Sequence, residues 1–468
     1  MRINPEFRRN VWVQFTWTRL VAVPLITLIL CYAFLLVWDA RWLQLVSEFV
    51  GGALIVGLWG TRRAADSLAE EISGGTWESQ RMSGLGAWQM TWGKLLGSVS
   101  FVWYCAAIAL LVTLWASNRV EAEGGIGRDP LLVAFDFVVG GLLAQSAAFA
   151  IGLILMRKAA RYRRLTITLA QSCGFLVYFF FVRGGFWPHS TARFQGVDSA
   201  MTGELGLPIG NETGADAVRI VAIAIACAWS VVGAYRLMRI ELQYRNLPWV
   251  WVLFLAFLVA GGVALSKAPA TLALPFYALV LVTYLSFFAD NRDPVRYRWA
   301  LLAVRARDWV EVASAVPWWL IAYLFAAVLA LVLAWTVSPV PSGLPTFATH
   351  GVPPAIAMYG IAQQEPAASV VLLMLFVLRD LLVMLWFSCS PWRAKADVAG
   401  IIYLALVYWP LAAILWYSGG QKLLPVVVPI ATGMPAFDFL PIAIELAFAL
   451  LLFYARWREI TRLEPRKA

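Results

Sequence analysis

The chain has 468 residues, 61% of them hydrophobic and 14% charged, with 24 tryptophans and a mean hydropathy of +0.74. That leaves too little polar surface for a water-soluble globule, and the uniformly apolar runs fit membrane-spanning helices rather than the alternating strands of a barrel. The net charge of +10 would by itself suit nucleic acid, but the cations gather at the ends of apolar runs, which excludes nucleic acid and makes the lipid bilayer the expected partner.

A crossing needs about 20 apolar residues, and the sequence predicts twelve spans, near 20–38, 44–60, 98–116, 131–155, 165–182, 217–238, 249–266, 271–288, 317–336, 368–388, 399–417 and 439–456. The even count puts both termini on one side. A charged stretch precedes the first run and no small-residue cleavage site follows it, so that run is expected to remain as a span. Arg8 and Arg9, then Arg157, Lys158, Arg161, Arg163 and Arg164, then Arg292, Arg296, Arg298, Arg305 and Arg307, and finally Arg456, Arg458, Arg462, Arg466 and Lys467 all fall on one face. The opposite face has only scattered cations such as Arg41, Arg128, Arg193, Lys267 and Lys422. This asymmetry predicts cytoplasmic termini and a bacterial inner-membrane location.

Between the second and third spans, Ala65, Leu68, Ala69 and Ile72 recur at helical spacing opposite Arg62, Asp66, Glu70 and Glu71. Thr61 to Ser73 should therefore extend the second span as an amphipathic helix. Gly74-Gly75 ends it. Thr76 is placed to cap a second short helix running through Trp77, Glu78 and Arg81 to Met82. Ser83-Gly84-Leu85-Gly86 breaks the chain again, and Trp88 to Lys94 leads into the third span. Two ordered pieces hinged at glycine suit docking with another protein; the plainer reading is a solvated loop with Trp77, Trp88 and Trp92 at the headgroup level.

The chain also repeats itself. Trp77 and Trp88 have counterparts in Trp299 and Trp309, about 220 residues on, and the basic tail Tyr235 to Ile240 matches Ala455 to Ile460. Six spans return the chain to its starting side, so the halves, 1–246 and 247–468, are predicted to be parallel six-helix repeats joined near Glu241 to Leu247. In the tenth span, Arg379 and Asp380 would each cost roughly 2.5 to 3.5 kcal/mol unpaired at the bilayer centre. Adjacent residues point about 100° apart on a helix, so the expected mates are Asp136 in span four and Glu445 in span twelve, with Gln145 and Gln171. A structural network and a substrate path are both open readings.

The five cysteines, Cys31, Cys105, Cys173, Cys227 and Cys389, are widely spaced and form no CxxC pair, so neither a metal site nor a disulfide framework is expected. His189, His350 and the sequon Asn211-Glu212-Thr213 fall in predicted outer loops and carry no pattern of their own.

Ser67-Leu68-Ala69-Glu70-Glu71-Ile72, Gly75-Thr76-Trp77-Glu78, Met82-Ser83 and Gly93-Lys94-Leu95-Leu96 occur in an order and spacing that resembles the segment after the second span of ABC-2-type transporter permeases. The chain departs from that pattern at Ser83 to Gly86, where the family has a proline-containing turn. Leu378-Arg379-Asp380-Leu381 through Lys395-Ala396-Asp397 looks like the corresponding part of fused, twelve-span members. The resemblance implies an all-α integral membrane protein of type V exporter-like architecture. It makes 61–97 a coupling segment in which Glu70, Glu71, Gly75, Thr76, Trp77, Glu78, Arg81, Gly93 and Lys94 meet or brace an ABC ATPase.

In the second half, 289–316 would be a degenerate coupling segment marked by Asp290, Arg292, Asp293 and Arg298. Gly93-Lys94 lacks the glycine spacing and following hydroxyl of a phosphate-binding loop, so no nucleotide site or other cofactor is expected in this chain, and ATP and Mg belong to the partner. Two fused halves imply two ATPase copies and an unknown exported substrate. The rivals are an ion-coupled secondary transporter, which Gly60-Thr61-Arg62-Arg63 fits poorly as its inner-loop motif, and a membrane-embedded transferase, for which no compact acid or histidine constellation is evident.

Overall fold

A computed structural model describes residues 4–125, 129–159, 163–182, 212–265, 272–290, 292–336, 366–390, 395–418, 423–431 and 435–462. His189, His350, Asn211 and most of the outer segments expected at 183–216, 337–367 and 418–438 lie outside them, as do Arg128, Arg161, Arg193, Lys267, Lys422, Arg466 and Lys467. The described residues form helices and connecting turns, with no strand among them. They divide into two compact units that change over between Asn246 and Leu247.

The first unit begins with α1 (Pro5–Gln14) and α2 (Trp17–Leu35). Next, α3 (Ala40–Glu48) runs through a π-helical stretch, Phe49–Gly60, into α4 (Thr61–Ser73) without a break. Then come α5 (Trp77–Arg81), α6 (Ala87–Gly97) and α7 (Ser100–Ala122). Another π-helical turn, Asp136–Gly140, joins α8 (Pro130–Phe135) to α9 (Gly141–Ala159), and α10 (Arg163–Val182) and α11 (Glu212–Glu241) follow. The core gathers Val56, Phe137, Ala144, Tyr178, Val182 and Ile223. Small residues let these helices approach closely: a Cβ on Gly52 would stand 2.6 Å from the Tyr178 hydroxyl, and one on Gly60 would collide with the Gln145 amide.

The second unit holds α12 (Trp249–Leu265), α13 (Ala273–Ala289), α14 (Pro294–Ala306), α15 (Trp309–Ala315), α16 (Trp318–Thr336) and α17 (Pro366–Cys389). After these, α18 (Ala396–Leu406) passes through a π-helical turn, Val407–Leu411, into α19 (Ala412–Tyr417); α20 (Leu424–Val427) and α21 (Pro435–Arg462) complete it. Its core has one cluster around Leu255, Phe276, Leu279, Ala322 and Ala326, and a second around Phe287, Trp319, Val377 and Met384.

Among the described residues ten helices are long and apolar enough to cross a membrane, against the twelve expected. The shortfall falls on the predicted seventh and eighth spans. Over the described residues their helices, α12 and α13, have 17 residues each, about 26 Å at 1.5 Å per residue against about 30 Å of hydrocarbon. A run of apolar residues does not record where the helix starts and stops, and α13 joins α14 only across a 108° bend. The protein is an all-α, multi-pass integral membrane protein.

Candidate functional site

The segment after the second span is the most elaborately held part of the first unit. Gly74 and Gly75 end α4, Gly75 in the left-handed region at φ +68°, where a side chain would be strained. The Thr76 hydroxyl does not cap α5 as its position suggested; it donates to the Glu71 carbonyl oxygen at 3.3 Å and so closes the turn behind it. The next helix is Trp77–Arg81, and α6 is a separate helix that stops before the third span, with Ser98 and Val99 as the joint.

What fixes this segment is α1, which the sequence reading treated only as a basic stretch. Asn4 caps it, Pro5 opens it and Glu6 sits in its first turn, each suited to its place. Glu6, Asn10 and Gln14 recur at four-residue spacing and face α6. Asn4 donates to the Gln89 carbonyl at 2.6 Å, Asn10 to that of Gly93 at 3.3 Å, and Gln14 to those of Gly97 and Ser98 at 3.1 and 2.9 Å. Trp12 and Val13 point outward, the reverse of a helix in water. Gly93 is needed for this approach, since a Cβ there would stand 2.7 Å from the Glu6 Cβ. The Gly-Lys pair thus serves helix packing.

Lys94, 1% exposed, lies at the centre. Its Nζ reaches Glu6 at 3.3 Å, Gln80 at 2.9 Å and the Glu71 carboxylate, and stands 5.5 Å from the centre of the Trp77 ring. Arg9 reaches Glu6 at 3.0 Å and Glu71 at 2.5 Å, and Gln80 donates to Glu71 at 2.9 Å. Two carboxylates and two cations therefore balance. A buried ion pair is tolerable only when paired and hydrogen-bonded in this way.

Of the expected coupling residues, Glu71, Trp77, Gly93 and Lys94 are turned inward and hold the segment together. Glu70, Gly75, Thr76 and Glu78 are exposed, and Arg81 meets Glu78 at 3.4 Å on the surface. Met82 beside them is 83% exposed. Arg163 ties Asp66 of α4 to α10 at 2.8 Å. Trp88 sits edge-on to Trp92 and Tyr235, with centroids 5.2 and 5.3 Å away.

The corresponding piece of the second unit is built differently. Asp290 is buried and meets Arg296 at 3.3 Å. Arg292 pairs with Asp397 and lies 4.4 Å over the Phe287 ring. Asp293 caps α14, accepting from the Val295 N–H at 3.0 Å. Only Arg298 of the four expected residues projects from the surface with its side chain uncommitted among the described residues.

Within the spans the structure corrects two pairings. Asp136 pairs with Arg219 at 3.0 Å, in the first unit, and Arg219 also donates to the Val182 carbonyl at 2.9 Å. Glu48 and Tyr178 line the same small recess as Asp136. Arg219 and Glu48 went unremarked in the sequence because each stands at the end of an apolar run, although an ionisable residue so placed is a usable signal. Gln145 and Gln171 serve backbone carbonyls, of Val56 and Leu58.

Arg379 meets its neighbour Asp380 directly, at 2.9 and 3.1 Å, contrary to the argument from helix angle. The three-carbon stem and forked guanidinium of arginine span the angle that separates the two Cβ atoms. Arg379 also reaches Glu445 at 2.6 Å, the one expected mate found beside it, and lies 4.5 Å over the Phe376 ring. Asp380, 0% exposed, accepts from Tyr284 and Tyr408 at 2.7 Å and Tyr403 at 3.0 Å. The π-helical turn Val407–Leu411 carries Tyr408 into this ring of donors, a local widening of the kind often found at functional positions.

No family model, curated protein or solved structure matches this chain.

Proposed function

We propose that the chain is the membrane permease subunit of an ABC transporter of the ABC-2 type, an exporter in a bacterial inner membrane driven by a separate ATPase. The observation that carries this reading is the segment Thr61 to Gly97. A lever that passes force from a motor protein into membrane helices must be stiff, and the Glu6–Arg9–Glu71–Lys94 cluster, joined by Gln80 of α5, ties α4, α5 and α6 to one another and to α1. The same cluster leaves Glu70, Thr76, Glu78 and Met82 facing outward as a docking edge.

Co-purification of the full chain with an ATPase encoded beside it tests the reading. Glu78→Lys is expected to weaken that complex at unchanged expression, and a chain that binds no ATPase refutes it. Native mass spectrometry then reads whether one or two ATPase copies are held.

The Arg379–Asp380–Glu445 site favours a second reading, an ion-coupled secondary transporter, because ionisable groups inside spans mark ion pathways. Substrate movement in proteoliposomes that needs ATP and a partner selects the first reading. Movement that collapses with an ion gradient selects the second.

A further inference from the structure

We infer that the helix α14 and the start of α15 in the second unit seat on the surface of an anionic phospholipid bilayer, and that this face is not an ATPase dock. α14 leaves α13 at a bend of 108°, so it cannot continue the direction of that span. On its open side Val295, Trp299, Leu302 and Ala306 recur at i, i+4, i+7 and i+11, one stripe of a helix. Trp299 is 66% exposed, and Trp309 at the start of α15 is 67% exposed with Val310 beside it. Elsewhere on α14, Tyr297 packs in the Phe287–Trp319 cluster, Ala303 is buried and Arg296 reaches Asp290 and the Ser314 carbonyl, while Leu301 and Val304 remain exposed. An open stripe of tryptophan and aliphatic residues beside arginines is the composition of a helix lying in a membrane interface.

Charge decides between lipid and protein as the occupant. Arg298 and Arg305 flank the stripe at i and i+7, and Arg307 follows at the helix end; all three are exposed, and their side chains have no acidic partner among the described residues. Of the nearby acids, Asp290 is paired with Arg296, Asp293 and Asp308 keep their charge at the N-termini of α14 and α15, which they cap, and Glu311 stands in the first turn of α15. Arg307 adopts φ +58° at the C-terminus of α14, a position that favours glycine. Arg307 is exposed there, at the end of the same helix. Phosphate headgroups give Arg298, Arg305 and Arg307 a counter-charge and the acyl boundary accepts the apolar stripe, whereas a coupling groove would have to cover both.

The inference goes beyond the permease reading and does not depend on it, because it can be tested with no ATPase present. The full-length chain with Cys31, Cys105, Cys173, Cys227 and Cys389 changed to alanine would carry a single nitroxide at Trp299→Cys or at Leu302→Cys. It would be placed in nanodiscs of mixed phosphatidylcholine and phosphatidylglycerol. Both nitroxides are expected to be relaxed by oxygen and shielded from a water-soluble nickel chelate, while one at Glu78→Cys stays open to the chelate. In a second arm with the cysteines intact, the variant Arg298→Gln, Arg305→Gln, Arg307→Gln should lose preference for phosphatidylglycerol over phosphatidylcholine in native mass spectrometry, roughly fivefold per arginine. Nickel-accessible labels at 299 and 302, labels shielded only when an ATPase is added, or an unchanged lipid preference in the triple variant would each overturn the inference. The nitroxide arm keeps all three arginines, so misfolding of the triple variant would not leave the question open.

Discussion

The segments at 61–97 and 289–316 hold comparable numbers of charged residues, and the two units use them in opposite ways. In the first, Glu6, Arg9, Glu71 and Lys94 are drawn into a balanced cluster, and the outward face keeps a polar edge. In the second, Asp290, Arg292 and Arg296 anchor the base, and the outward face carries Arg298, Arg305 and Arg307 beside Trp299 and Trp309, with Asp293 and Asp308 at the helix caps. Surface chemistry is therefore set less by composition than by which charges the packing consumes. The same lesson holds inside the spans. Each unit carries an ion pair between helices, Asp136 with Arg219 in the first and Arg379 with Glu445 in the second, and in the second a further carboxylate, Asp380, gathers Arg379 and three tyrosines.

That contrast can be broken by mutation. Asp380→Ala should have the largest effect, about 3 to 5 kcal/mol of lost stability, because it removes the acceptor of the Tyr284, Tyr403 and Tyr408 hydroxyls and leaves Arg379 with Glu445 and the Tyr408 oxygen. Thermal unfolding of the purified chain in detergent would read it. Lys94→Met comes next, at about 3 kcal/mol, since Glu6 and Glu71 then share only Arg9. Adding Glu71→Gln to that variant leaves Glu6 paired with Arg9 and should restore much of the loss, and failure to do so would mean that the cluster is not a charge-balanced unit.

Gly93→Val should cost about 2 kcal/mol through overpacking against Glu6; protease accessibility of α1 is the sharper readout, because the clash falls on that helix. Thr76→Ala should cost under about 0.5 kcal/mol, less than the roughly 1 kcal/mol typical of a lost N-cap. A full capping loss measured at Thr76 would contradict the hydrogen bond to Glu71.

Much of the segment after the second span was legible in advance. The helical period of Ala65, Leu68, Ala69 and Ile72 and the paired glycines gave α4 and its end, because local propensity and packing agree there. The clasp of α1 was not recognised, although Glu6, Asn10 and Gln14 stand at four-residue spacing. Polar residues normally read as the outward face, and in a membrane-side helix they point inward to carbonyls while Trp12 and Val13 face out. The pairing of Arg379 with Asp380 was missed for a related reason, since helix angles locate Cβ atoms and say little about where a long side chain ends.

Composition and run length alone determined that the chain is helical and crosses a membrane many times, because a bilayer offers the backbone no other partner. The sequence also marked nearly every ionisable residue of interest by placing it inside or beside an apolar run. Only the tertiary structure decided which of them meet: Lys94 with Glu6 and Glu71, Asp136 with Arg219, Arg379 with Asp380 and Glu445. These partners lie on helices far apart in the chain or on side chains long enough to turn back, and spacing along a sequence carries neither distance.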